Sequence, residues 1–301
     1  MNGNTVTHAT RLRHLIADPA ILVAPGVYDG TGARIAENLG FQALYLSGFA
    51  TSASILGQPD VGYLTLTQMA QRVGQLVNVV DLPLIADADT GYGNPLNVRQ
   101  AVIEYEKAGA AALHIEDQRF PKRCGHMLGR DVIPVEEMVQ KIAAAVEARR
   151  DPNFVIIART DARTSMGLDE AIERGGAYRD AGADVLFVES PESEAEMKRI
   201  GDAFRDTIPL LSNQVEGGRT PMPGARRLEE MGFALAIFAV GTAFAAAEGM
   251  RHYLATLADT GGTDATADRM IAFDDFNELI GLPDHAELEE RYATGRQHWN
   301  G

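Results

Sequence analysis

The loop Pro121-Lys122-Arg123-Cys124-Gly125-His126 carries the sharpest chemical signal in this chain. Cys124 is the single cysteine, and it stands beside two cations, with His126 two residues on. Adjacent positive charge stabilises a thiolate and brings its pKa toward the working range of a proton carrier. An inert core thiol belongs inside an apolar run, whereas this one lies in a polar stretch; an exposed, unused thiol is the competing reading. The second signal is Asp87-Ala88-Asp89, which on an extended chain puts two carboxylates on one side, aimed at one point. Joined by Asp60 and Glu116, they make a set of hard oxygen donors suited to a divalent cation, foremost Mg2+. The plainer alternative is carboxylates that cap helices or stand solvated at a loop rim. The following Thr90-Gly91-Tyr92-Gly93-Asn94-Pro95 allows close backbone approach but lacks the spacing of a phosphate cradle. Arg159 offers a planar fork for a carboxylate, or else a structural ion pair with Asp161 or Glu189. His114, inside the apolar run ALHIED, reads either as a site residue or as a hydrogen-bonded structural histidine.

Such groups act together only if the fold brings them to one place. Four times a charged, helix-like segment ends in glycine and an apolar run follows at once, at Gly40, Gly109, Gly182 and Gly232. That order describes a helix cap, a tight turn and a buried strand. The runs at 21–25, 83–87, 155–159 and 209–213 bring the candidate strands to eight. They are near-continuously apolar, the pattern of parallel strands covered on both faces. Between them, Val98, Ala101, Val102, Tyr105 and Ala108 form one helical stripe, and Thr65 with Gln68 predicts a capping box opening a helix over 66–80. Further helices are predicted over 134–149, with Pro134 in the first turn, and over 168–181. The pattern predicts an α/β fold, a (β/α)8 barrel over residues 1–245, with an open doubly wound sheet as the competitor. Residues 246–301, helical at 268–280 and 284–293, form an extension expected to pack on the barrel or on a neighbouring subunit.

Barrel enzymes keep their chemistry at the C-terminal ends of the strands. Here those ends are Pro25, Ser47, Asp87 with Asp89, Glu116, Arg159, Glu189 and Asn213. A single run ending in a charged residue is ordinary; several converging on one mouth make a site. A net charge of −15, from 27 Lys and Arg against 42 Asp and Glu, argues against nucleic acid or anionic membrane partners. One cysteine excludes a disulfide framework and any cysteine-cluster metal site. No stretch approaches about 18 consecutive apolar residues, and the start lacks a signal-peptide layout, so a cytoplasmic protein is expected.

The segments LYLSG (44–48), ADADTGYG (86–93), HIEDQ (114–118), KRCGH (122–126), ARTDA (158–162) and NQVEGG (213–218) resemble, in order, the isocitrate lyase/phosphoenolpyruvate mutase superfamily. The resemblance spans roughly residues 10 to 245 and is most specific in KRCGH and the ADADTGYG loop. It implies a barrel whose last helix is exchanged between subunits of a homotetramer, Mg2+ or Mn2+, and a 2-keto or 2-hydroxy acid ligand. By position it implies that Ser47, Gly48 and the Phe49 amide, helped by Arg159, hold the ligand carboxylate. Asp87 would ligate the metal directly, and Asp60, Asp89 and Glu116 mostly through water. Cys124 would move a proton from a gating loop near 117–131, and Glu189 and Asn213 would face the substrate.

Cys124-Gly125 stands where the phosphonate-making mutases resemble an Asn-Ser pattern, so the chain is more similar to the carbon–carbon lyases. It departs from isocitrate and methylisocitrate lyases in lacking a Thr after Asn213 and in having Phe49 where they carry glycine. Losing a hydroxyl donor weakens a third-carboxylate site, and an aromatic ring favours an alkyl group. The resemblance therefore leans toward lyases of malate-type substrates, such as 2,3-dimethylmalate. The implied reaction is a retro-aldol cleavage in which Lys122, Arg123 and His126 surround the developing carbanion charge and Cys124 delivers the proton. Asp60 through water and Tyr45 are the two candidates for the base. The rivals are an oxaloacetate decarboxylase or hydrolase or a phosphonomutase-like enzyme on the same metal site, and a non-catalytic keto-acid-binding barrel.

Overall fold

The computed structural model describes residues 6–125 and 129–293, so His126 and the last eight residues of the predicted extension lie outside the described part. Chain order runs α1 (His8–Ala17), β1 (Leu22–Val27), α2 (Gly30–Asn38), β2 (Leu44–Leu46), α3 (Gly48–Leu56), α4 (Leu66–Val77), β3 (Leu84–Asp87), α5 (Pro95–Ala108) and β4 (Ala112–Glu116). It continues through α6 (Val135–Ala148), β5 (Val155–Thr160), α7 (Ala162–Met166), α8 (Leu168–Asp180), β6 (Val185–Val188), α9 (Glu194–Phe204), β7 (Leu210–Asn213), α10 (Ala225–Glu230) and β8 (Leu235–Phe238). The strands close in sequence order into an eight-stranded parallel barrel, with β1 against β8 in the register Leu22↔Leu235 to Pro25↔Phe238. The doubly wound alternative is excluded by that closure.

Alternation along each strand explains the unbroken apolar runs. Tyr45, Ile85, Ile157, Phe187, Leu211 and Ile237 fill the barrel interior. Their neighbours Leu44, Leu46, Leu84, Ala86, Ile156, Leu186 and Leu210 pack outward under the helices. Both faces are therefore dry, which leaves only the strand ends for polar chemistry.

The predicted caps are present. Gly40, Gly109, Gly182 and Gly232 all adopt positive φ. Thr65 and Gln68 form the capping box of α4, which stops at Val77 rather than continuing to 80. Pro134 sits at the N-cap of α6, just outside the helix. Among the helices not foreseen is α3, which starts directly after β2, with the Ser47 side chain accepting from the Ala50 amide.

Backbone contacts divide the chain into two compact units, one ending at Phe244 and one beginning at Ala245. After α11 (Gly241–Thr260) the second unit holds a short 3-10 helix over Asp264–Arg269, then α12 (Phe273–Leu279) and α13 (Leu282–Tyr292). The predicted helix over 268–280 thus begins later than its periodicity indicated. Among the described residues no helix is long and apolar enough to cross a membrane.

The cap at Gly109 tests this account. Its φ is +97°, and an added Cβ would lie 2.8 Å from Val77 Cγ1. Gly109→Ala is expected to destabilise the barrel by about 1–3 kcal/mol, read as a lower denaturant midpoint at unchanged m value.

Candidate active site at the barrel mouth

The strand ends converge on one acidic, buried cluster. Asp60, Asp87, Asp89 and Glu116 are all buried, and Lys122 lies among them with 2% of its surface exposed. Its ammonium pairs with Asp60 Oδ1 and lies 2.5 Å from Asp89 Oδ1. Burial alone would push this amine down, but Asp89, Asp60, Glu116 and Asp87 together raise it well above an ordinary lysine.

The two aspartates do not reach the cluster by the extended geometry the sequence suggested. β3 ends at Asp87, and Asp89 turns into the left-handed region, with φ of 49°. The Asp89 amide donates to Asp87 Oδ1 at 2.9 Å. This turn is held from outside by Lys141, which donates to the Thr90 carbonyl at 3.0 Å, and by Tyr105, which donates to the Asp87 carbonyl at 2.7 Å. It is a tight turn, not strand alternation, that brings the two carboxylates together. Burial, with Asp87 and Asp60 adding repulsion, pushes Asp89 up to about 7 despite Lys122. Burial also drives Glu116 well above the usual carboxylate range, against the pull of Arg159. At Asp87 burial is outweighed by His114, Lys122 and the Asp89 amide, leaving it below that range.

His114 lies fully buried on β4, with Nε2 3.0 Å from Asp87 Oδ1 and Nδ1 3.4 Å from the Tyr45 hydroxyl. Burial lowers it to about 4 although Asp87 opposes the shift. It is therefore a neutral imidazole packed beneath Asp87, parallel to the Tyr45 ring. Tyr45 reaches Asp87 at 3.5 Å, and burial with Asp87 beside it drives the phenol well above its ordinary value.

Arg159 forms the opposite wall. Asp161 accepts from its Nε and Nη2 at 2.9 Å each, Glu116 lies 3.2 Å from Nη1, and Glu189 3.5 Å from Nη2. The guanidinium also lies over the Phe187 ring, 5.1 Å from its centroid. Both sequence readings of Arg159 thus meet: it is ion-paired, and it faces the mouth. Asn213 Nδ2 donates to Glu189 at 3.2 Å, which ties the ends of β6 and β7. Ser47 and Gly48 reach the mouth as well, with the Gly48 amide donating to Asp87 Oδ2 at 3.1 Å. An added Cβ at Gly48 would lie 2.6 Å from that oxygen, so only glycine fits this approach. Phe49 is half-buried, edge-on to Phe244 at 6.1 Å.

The reactive loop folds across this mouth. A Cβ at Gly125 would come within 2.6 Å of Arg159 and Glu189, and Ser190 donates to the Gly125 carbonyl at 2.7 Å. Gln118 clasps the segment from behind, accepting from the Arg123 amide at 2.9 Å and donating to its carbonyl at 2.8 Å. Cys124 is half-exposed, and the Arg123 side chain is exposed. One expectation is corrected here. Lys122 is not spent on the thiol beside it in sequence; its charge is committed to the carboxylates, because burying acids without a cation is costly.

Reading one residue per strand end missed Asp117 and Arg130, and gave Asp161 only as a partner of Arg159. Asp117, one residue past β4, accepts from Thr160, Tyr178 and the Asp161 amide at 2.7–2.8 Å. Asp161 in turn pairs with Arg130, on the far side of the loop. A polar pair at each strand end, Glu116-Asp117 and Thr160-Asp161, was the available signal.

Oxygen donors, buried negative charge and the unpartnered Glu116 Oε1 suit a hard divalent cation. Among the described residues no three acidic, thiol or imidazole groups stand ready-spaced as a metal cage.

A closed parallel barrel whose C-terminal mouth joins buried acids, an arginine fork and a thiol-bearing loop defines a TIM-barrel enzyme for small anionic substrates. The chain belongs to the phosphoenolpyruvate phosphomutase family, whose model matches residues 12–258, within the isocitrate lyase superfamily. It is 49% identical to 2,3-dimethylmalate lyase of Eubacterium barkeri over 96% of this chain and 99% of that one. It is 42% identical to probable 2-methylisocitrate lyase 1 of Corynebacterium glutamicum, over 95% and 93% of the two chains. The solved structure of oxaloacetate acetylhydrolase with the inhibitor 3,3-difluorooxalacetate superposes with a TM-score of 0.90 at 40% identity, covering 95% of this chain and 97% of that one.

The neutral state of His114 is directly measurable. Its imidazole NMR signals are expected to show no protonation step until about pH 4; a midpoint near the ordinary value of about 6.5 would contradict the buried geometry. Stability then loses the His114 contribution as pH falls from about 6.5, where the unfolded imidazole takes its proton, toward about 4. Asp89, protonated in the fold up to about 7, acts in the opposite direction over that window.

Proposed function

We propose that this chain is a divalent-cation-dependent carbon–carbon lyase that cleaves a substituted malate to a pyruvate-like 2-keto acid and a second carboxylate. The observation that carries the reading is the convergence of Asp60, Asp87, Asp89 and Glu116 with Arg159 under the loop bearing Cys124. Near-full-length identity to 2,3-dimethylmalate lyase supports a dialkyl-substituted substrate.

Mg2+ is the preferred cation, and Asp87, with Asp60, Asp89 and Glu116, would hold it. When bound, it would supply Lewis acidity toward the substrate's 2-hydroxyl. The residues of the chain supply the rest. Arg159, held in plane by Asp161, pairs with the C2 carboxylate, together with Ser47 and the amides of Gly48 and Phe49. Removal of the hydroxyl proton to Asp60 through water makes C2 a carbonyl as the C2–C3 bond breaks; Tyr45, the other candidate base, keeps its own proton in this buried setting and is set aside. The bonding pair stays on C3 as a carboxylate-stabilised carbanion, and Lys122 and Arg123 lower its energy. Cys124 then gives its proton to C3. Glu189 and Asn213 shape the wall facing that carbon, and Phe49 offers an apolar surface to an alkyl group. The enzyme works as a cytoplasmic homotetramer. The exposed Met270, Ile271 and Phe273 of the C-terminal unit support its packing on a neighbouring subunit.

The likeness to oxaloacetate acetylhydrolase favours one second reading, hydrolysis or decarboxylation of oxaloacetate on the same site. A panel of 2,3-dimethylmalate, 2-alkylmalates, methylisocitrate and oxaloacetate with Mg2+ tests both. Keto-acid release from an alkylated malate, abolished by EDTA and restored by Mg2+ or Mn2+, is expected. Consumption of oxaloacetate alone transfers the assignment to the second reading, and silence across the panel removes both.

Cys124→Ser separates the chemistry further. A hydroxyl is a far weaker proton donor at neutral pH than a thiol, so kcat is expected to fall by at least about 100-fold. Turnover that survives the substitution overturns the proton-delivery role.

A further inference from the structure

Ser190, two residues past β6, is 1% exposed and sits in the left-handed region, with φ of 57°. A residue with a Cβ is strained there and stays only where its surroundings hold it. The turn brings the Ser190 amide to Glu189 Oε1, to which it donates at 2.9 Å. It also puts the hydroxyl 2.7 Å from the Gly125 carbonyl and 3.0 Å from the same Glu189 oxygen.

A serine hydroxyl has a single proton to donate. Glu189 Oε1 already accepts from the amide, so the nearer acceptor, the Gly125 carbonyl, takes the hydroxyl proton. Glu189 Oε2 accepts from Asn213 and lies 3.5 Å from Arg159 Nη2. The wall that Gly125 rests on is therefore braced on its far side, and the Ser190 hydroxyl is aimed from it at the reactive loop.

We infer that Ser190 is a positioning residue for Cys124: its hydroxyl seats the adjoining Gly125 carbonyl and so holds the thiol-bearing segment against the wall of Arg159 and Glu189. When the segment lifts, the hydroxyl proton turns to Glu189 Oε1, and no buried donor is stranded. Ser190 thus biases the loop toward its seat without locking it. The role rests on the lyase reading given above, in which Cys124 delivers the proton, but the seat itself is measurable without substrate.

Trypsin reads the seat. Cleavage after Lys122 or Arg123 follows the population of the lifted form when reclosing is fast. Ser190→Ala removes the hydroxyl. Ser190→Gly removes it as well but relieves the backbone, so it serves even if the alanine variant folds poorly. Both are expected to be cut at these two sites about fivefold faster than the native chain, the effect of one ordinary hydrogen bond, with cleavage elsewhere unchanged. Native rates in the glycine variant overturn the seat.

Turnover separates positioning from structure. With 2,3-dimethylmalate and Mg2+, Ser190→Ala is expected to lower kcat about fivefold and leave KM unchanged, because the donor acts after binding. In the Cys124→Ser background the same substitution is expected to cost nothing further, since the group it positions is gone. An equal further loss in that background marks a general structural defect and overturns the role. If the native chain cleaves no malate while the trypsin rates still differ, the lyase reading fails and the seating of the segment by Ser190 stands.

Discussion

Buried negative charge must be answered by positive charge, and the architecture of the mouth follows from that constraint. Removing a carboxylate from water costs several kcal/mol unless a cation or donors replace the lost hydration. This barrel buries Asp87, Asp89, Glu116, Asp117, Asp161 and Glu189 within a few residues of its strand ends, and Asp60 on the loop between α3 and α4. The acids divide into two kinds by how they are satisfied. Asp117 and Asp161 are saturated by fixed partners: hydroxyls of Thr160 and Tyr178, an amide, and the guanidinium groups of Arg130, Arg159 and Arg174. Asp60 and Asp89 rely instead on one ammonium brought in by a loop. The first kind builds a rigid frame. The second leaves a demand for positive charge that a mobile ion can meet, which is the condition for a cation site as opposed to a structural ion pair.

The frame also determines which way Arg159 points. Its Nε and Nη2 face Asp161, so Nη1 is turned toward Glu116, while Glu189 flanks Nη2 at 3.5 Å. Asp161 is held by Asp117 and Arg130, and Asp117 by Tyr178 and Arg174 of α8. The orientation of the guanidinium at the mouth is therefore inherited from packing on α8. A carboxylate ligand meets a preformed fork, with little conformational freedom left to lose on binding.

Much of this was legible in the sequence because the barrel repeats one local instruction. A capping glycine, an apolar run and a polar end recur, and each of the eight runs became a strand. The strand ends brought Asp87, Glu116, Arg159, Glu189 and Asn213 together as the pattern required. What stayed illegible depends on contacts that no local pattern encodes. The left-handed turn at Asp89 is imposed by Lys141 and Tyr105 from distant helices. The destination of Lys122 follows from tertiary charge balance, whereas sequence adjacency pointed to Cys124. Asp117 was passed over because one polar residue per strand end was sought, and it is the second of two; Asp161, likewise second, was read only as a partner of Arg159. Ser47 reads as a mouth residue, yet its hydroxyl also caps α3, so the fold uses one side chain to start a helix and to line the site.

The placement of Cys124 on the loop, and not on a strand, follows from the same charge balance. A thiol fixed among those carboxylates would face strong negative potential, which raises its pKa and disfavours the thiolate left after proton delivery. Carried instead on a segment that rests against Arg159 and Glu189 through Gly125, it stands at the boundary between the acidic half of the mouth and the arginine wall. Gly125 is what permits that distance, since a Cβ there would collide with both side chains. The smallest residue of the loop thus sets how closely the segment that carries the thiol can approach Arg159 and Glu189.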